Sequence, residues 1–109
     1  MLGKEINRWD MKGFWHHHDS IELPNGNILV AVNRQDIPTI EDHVVEISRT
    51  TGSVIRKWDL RQLFDISRIQ NSKNPRDWFH MNAIWYSFTD DSLILSGRNQ
   101  NAVIKVSGD

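Results

Sequence analysis

Residues 15–23 read WHHHDSIEL and align without a gap to residues 78–86, WFHMNAIWY. The shared frame is tryptophan, any residue, histidine, any residue, aspartate or asparagine, then an apolar position two residues on. Each copy runs into further matches. Residues 27–33 (NILVAVN) match 92–98 (SLILSGR), and residues 42–48 (DHVVEIS) match 101–107 (NAVIKVS). Upstream, RWDM at 8–11 matches KWDL at 57–60. The offsets differ by one insertion, residues 62–76, which holds a short amphipathic helix candidate followed by a polar loop.

Strand signals dominate each copy. Residues 19–23 alternate, Pro24-Asn25-Gly26-Asn27 is a turn, and residues 28–32 form a continuous apolar run. Residues 43–48 and 53–60 flank a second turn ending in Gly52, where a positive φ is expected. Four such strands make an up-down antiparallel meander. A repeated four-stranded unit with Trp-Asp near its end is the mark of a β-propeller blade.

The predicted fold class is therefore all-β, a fragment of about two four-stranded antiparallel propeller blades. Residues 5–10 read as the outer strand of a preceding blade and 17–60 as one full blade. Residues 61–79 are a connecting insertion, and 80–107 are the first three strands of the next blade. Propellers close with about 4–8 blades, so the chain reads as part of a larger propeller or as a piece that must associate, as a homo-oligomer or with the missing remainder. An eight-stranded barrel or sandwich is the competing architecture.

In a strand, residues i, i+2 and i+4 share a face. Strict alternation puts His17, Asp19, Ile21 and Leu23 together, and likewise His80, Asn82, Ile84 and Tyr86. The first strand of each blade lines a propeller's channel, so His17 and Asp19 are expected beside His80 and Asn82. Arg98 takes the repeat position of Asn33, close to the start of the first strand. Arginine offers a cationic fork to an oxyanion, asparagine an amide donor, and histidine a donor or proton carrier. Converging at one mouth, they suit a small anion. Taken singly, a strand histidine is more often packed or solvated than catalytic.

On this reading His16 and His18 face away from His17 as polar surface, and His43 is given no role. Trp15 and Trp78 are expected to pack between blades. The three consecutive histidines cannot all ligate one ion from a regular strand. His17, Asp19 and His80 could do so, but Arg98 at the same mouth disfavours a cation, so no metal and no cofactor is expected.

The bulk composition excludes several classes of function. The 109 residues suit one small domain, with an apolar share of 39%. Thirteen basic residues against fourteen acidic ones offer no electrostatic footing for nucleic acid or an anionic membrane. No apolar run approaches the roughly 20 residues of a membrane span, and MLGKEINRWD lacks the apolar core of a signal peptide. Without cysteine there is neither a disulfide framework nor a thiolate metal site.

The segments DWFHMNAIWY and DDSLILSGRNQNAVIKV, with HHDSIELPNGNILVAVN and EDHVVEISRTTGSVIRKWDLRQLFD, resemble the bacterial arylsulfate sulfotransferases that work without phosphoadenylyl sulfate. The resemblance covers nearly the whole chain from Gly13 onward. It implies a six-bladed propeller with its active site in the central channel. It also implies transfer of a sulfuryl group from an aryl sulfate donor to a phenolic acceptor through a sulfohistidine, with no nucleotide or metal cofactor. By position, His80, Asn82 and Arg98 match the family's active-site residues, and His17 matches its supporting histidine. The family's nucleophilic histidine lies in a later blade, and this chain has no histidine after His80. A periplasmic location is implied by the resemblance alone. The alternative is a non-catalytic propeller module that holds small anions or a peptide at the same mouth.

Overall fold

Tight turns fold residues 14–59 into a four-stranded antiparallel meander. In the computed structural model of the chain, which describes residues 3–68 and 72–109, its strands are β1 (Phe14–Glu22), β2 (Ile28–Arg34), β3 (His43–Ile47) and β4 (Val54–Asp59). They lie in the order β1-β2-β3-β4. Gly52 adopts φ 72° in the β3–β4 turn, a conformation open to glycine without steric cost. Its N–H donates to the Ser48 carbonyl at 2.8 Å, which closes the turn. A second sheet follows, with β5 (Met81–Ser87), β6 (Ser92–Gly97) and β7 (Ala102–Ser107) in that order. The two sheets are successive antiparallel blades of an unclosed β-propeller, not one barrel.

The core lies between the sheets. Leu23, Leu29, Ala31 and Val44 of the first pack with Met81, Ile84, Leu93, Leu95 and Val106 of the second. Trp58, Leu60, Trp78 and Phe79, from the junction between the sheets, complete this cluster. The opposite face of the first sheet buries Val30, Val32, Val45 and Ile47 beneath Trp9, Met11 and Phe14. A sheet apolar on both faces explains why β2 reads as a continuous apolar run rather than an alternating one. The second sheet is covered on one face only, leaving Trp85 and Val103 exposed on the other.

Polar contacts reinforce the junction. Trp58 Nε1–H donates to the Ser107 carbonyl at 2.9 Å, and Arg56 bridges Glu46 on β3 to Asp91 in the β5–β6 turn. The one helix among the described residues, α1 (Leu60–Leu63), starts where the Asp59 carboxylate caps the Arg61 N–H.

Two expectations need correction, one for the helix and one for Trp15. Residues 5–10, assigned to a preceding blade outside this chain, pair with no strand among the described residues; Trp9 packs against Gly52 and donates from Nε1 to the Arg49 carbonyl at 3.2 Å. The amphipathic helix expected within 62–76 is a single turn that begins earlier and stops at Leu63, after which Phe64 is extended and Asp65 caps the Ser67 N–H. Part of the expected polar loop, residues 69–71, lies outside the described residues. Trp78 is buried between the blades as expected, but Trp15 is 61% exposed.

Candidate functional site

One bulge shapes the first strand of each sheet. In β1, His16 pairs with Val32 and Ser20 with Val30, so His17, His18 and Asp19 together oppose a single residue of β2. The strand absorbs the excess at His18, which adopts φ 50°. In β5, Met81 pairs with Gly97 and Ala83 with Ser96, leaving Asn82 extra; His80, just ahead of it, adopts φ 57°. His18 and His80 are thus the two histidines in left-handed conformation.

The bulge overturns the facing expected from strict alternation. His18 does not turn away. Its ring lies 5.3 Å from that of His17 and 5.4 Å from that of His80, centroid to centroid. Between His18 and His80 stands Glu41, whose Oε2 is 3.4 Å from His18 Nε2 and 3.0 Å from His80 Nδ1. His80 Nδ1 also hydrogen-bonds Asp77 Oδ2 at 2.8 Å. His16, by contrast, does lie on the far side of the sheet, in a hollow with Trp9 and Met11.

Glu41 is held from both blades. Its N–H donates to Asn33 Oδ1 at 2.6 Å, its carbonyl accepts from Met81 N at 3.2 Å, and Ile40 N donates to the Arg76 carbonyl at 2.9 Å. The β2–β3 loop is thereby pinned to the approach to β5. His17 is half-buried, and both its ring nitrogens lack a hydrogen-bond partner among protein atoms. Burial, with the nearby charge of His18, pushes its pKa down to about 4. The imidazole is neutral at physiological pH.

The remaining predicted residues go elsewhere. The Asp19 carboxylate turns to the second sheet and accepts from the Ile84 N–H at 2.8 Å. Asn82 and Arg98 share a cleft of about 370 Å³ with Ser96, Asn101 and Val103. The Arg98 N–H donates to the His80 carbonyl at 3.1 Å, which fixes the cleft beside the histidine cluster. So the four predicted residues fall into two adjoining groups, His17 with His80 and Asn82 with Arg98.

Sequence reasoning missed Glu41, His18 and Asp77. Asp77 carried a usable signal, three residues before His80 and within reach of it in a turn. Glu41 carried none, because its place depends on a loop crossing to the next blade. His43, given no role, is fully buried: its Nδ1 bonds Asp42 Oδ1 at 2.7 Å and its Nε2 lies 3.2 Å from Asp59 Oδ2. The other Asp42 oxygen accepts from Trp78 Nε1 at 2.8 Å, so this network ties the blades together.

A sequence model of the Arylsulfotransferase (ASST) family matches residues 1–109 of this chain. The chain belongs to that family. It is similar to the arylsulfate sulfotransferase AssT of Escherichia coli O6:H1, with 30% identity over 84% of this chain and 22% of the relative. It is also similar to the arylsulfate sulfotransferase AssT of Lelliottia amnigena, at 27% identity and the same coverage. The chain therefore spans about a fifth of the length of these curated relatives. No helix among the described residues of this arylsulfotransferase-family chain is long and apolar enough to cross a membrane.

Proposed function

We propose that this chain supplies the supporting side of an aryl sulfotransferase site, which moves a sulfuryl group from an aryl sulfate to a phenol. The observation that carries the proposal is the cleft shared by Asn82 and Arg98 beside the His17–His80 cluster, in a chain of this family. A sulfuryl group in transfer spreads negative charge over its peripheral oxygens, as a phosphoryl group does. The guanidinium of Arg98 and the amide of Asn82 donate to those oxygens.

The bond between sulfur and the aryl oxygen breaks as the departing phenolate takes a proton from a histidine. Sulfur meanwhile bonds to a nucleophilic imidazole, which this proposal places outside the present chain. In the second half, the phenol acceptor gives its proton to a histidine and its oxygen attacks sulfur, releasing the nucleophile. His80, with its Nδ1 held by Asp77, presents its other nitrogen for this proton traffic, and His17 lies close enough to support it. No nucleotide is involved. A periplasmic location is part of the same reading.

The test is transfer from 4-nitrophenyl sulfate to phenol by the whole protein carrying this chain. Arg98→Ala is expected to lower kcat by about 10²–10³-fold, the usual cost of removing one oxyanion donor, and His80→Ala to lower it comparably. Unchanged turnover in both variants would leave a non-catalytic binding role for this mouth.

A further inference from the structure

Residues 77–80, which carry Asp77 and His80, belong to no strand, so no sheet ladder supplies partners for their carbonyls. Each of those carbonyls is nevertheless taken up by the single 3-10 turn Arg98–Gln100 that follows β6. The Asp77 carbonyl accepts from Asn99 Nδ2 at 2.5 Å, and the Trp78 carbonyl from Gln100 Nε2 at 2.7 Å. The Phe79 carbonyl accepts from the Asn99 N–H at 3.2 Å, and the His80 carbonyl from the Arg98 N–H at 3.1 Å. We propose that Asn99 and Gln100 are positioning residues for the transfer site, their amides locking the Asp77–His80 segment onto the turn that carries Arg98. The part they play in turnover rests on the proposed sulfuryl transfer; the locking of the His80 ring does not.

The main-chain donors of Arg98 and Asn99 continue the β5–β6 ladder past its last pair, Met81 with Gly97. Further along, side-chain amides stand where main-chain donors would. Asn99 is buried, and its Nδ2 is committed to a main-chain oxygen rather than to solvent. A carbonyl deprived of such a donor at a buried position carries a desolvation cost. Trp78 is fixed a second time, through its indole N–H to the buried Asp42 carboxylate at 2.8 Å.

The clamp meets a specific need. His80 is left-handed, with φ 57°, and lacks the freedom of glycine. Such a backbone persists only where its surroundings over-determine it. Asp77 Oδ2 reaches His80 Nδ1 across this same short segment. The carboxylate only accepts, so Nδ1 carries the proton and Nε2 is left to exchange one with the phenol. Arg98 opens the clamping turn, so the proton carrier and the oxyanion donor are held as one body. A misplacement of about 1 Å in such a pair costs about 10²-fold in rate.

The deciding experiment places Asn99→Ala and Gln100→Met, each removing one amide donor, in the whole protein carrying this chain. In the transfer assay each should lower kcat by at least about tenfold while KM for 4-nitrophenyl sulfate moves by less than about twofold. Arg56→Ala, which removes the bridge from Glu46 to Asp91, should lower stability and leave kcat unchanged. Imidazole nitrogen NMR, with the His80 signal assigned through His80→Gln, should show the Nδ1–H tautomer in wild type and mixed tautomers in both variants. Gln100 is only partly buried, so Gln100→Met tests the clamp should Asn99→Ala fail to fold. Unchanged kcat in a folded Gln100→Met variant overturns the positioning role, as does a wild-type tautomer there or an equal loss of kcat in Arg56→Ala. A wild type without transfer activity overturns the sulfuryl reading alone, and the NMR spectra then decide the clamp.

Discussion

Asp19 Oδ2 on β1 accepts a hydrogen bond at 2.8 Å from the backbone N–H of Ile84 on β5, joining the first strands of two consecutive blades. A carboxylate from one sheet thus satisfies a main-chain donor of the other. Asp19→Ala leaves that donor without its partner at the junction, and the expected cost is about 1–3 kcal/mol. Asp19→Asn keeps an acceptor oxygen and should cost less. Chemical denaturation of both variants in the whole protein checks the order; equal stability would remove Asp19 from the junction.

The buried network around His43 predicts an acid limb in stability. Burial alone would raise the Asp59 carboxyl, but hydrogen bonds from Arg61 and the charges of His43 and Arg61 outweigh it and hold the pKa at about 2. Because the folded value lies below the unfolded one, the contribution is fully present above an ordinary aspartate pKa. It is lost as pH falls through about 2. From that shift it amounts to roughly 2 kcal/mol at neutral pH. Asp59→Asn should lower stability at pH 7 and flatten the decline between about pH 4 and pH 2, as read from thermal melts across that window.

Gly97 closes β6 directly beneath the segment that carries His80. A Cβ at this position would meet the Phe79 ring at 2.7 Å, and that ring is fully buried. Gly97→Ala is expected to cost about 1–3 kcal/mol by overpacking and to disturb His80, whose carbonyl holds the Arg98 N–H. Adding Phe79→Leu, which shortens the ring's reach, should recover part of the loss. Melting temperatures of the single and double variants decide it.

Much of the fold was legible in the linear pattern. Alternation in residues 19–23, the apolar run of β2, and the Gly26 and Gly52 turns are local features with local causes. The internal repeat supplied the blade count, and the burial of Trp78 followed from its place in that repeat. Trp15 matched Trp78 in sequence but not in burial, because only Trp78 has a second sheet over it.

The sequence by itself determined the strands, their order, the repeated Trp-x-His frame and the family. It also named His17, His80, Asn82 and Arg98 as candidates. Tertiary structure alone decided how side chains converge around them. A period of two predicts facing only while the ladder is regular, and three residues of β1 opposite one of β2 break that regularity. His18 therefore turns toward His80, and Glu41 reaches both from a loop more than twenty residues away in the chain. Such contacts depend on packing between sheets, which leaves no periodic trace in either segment.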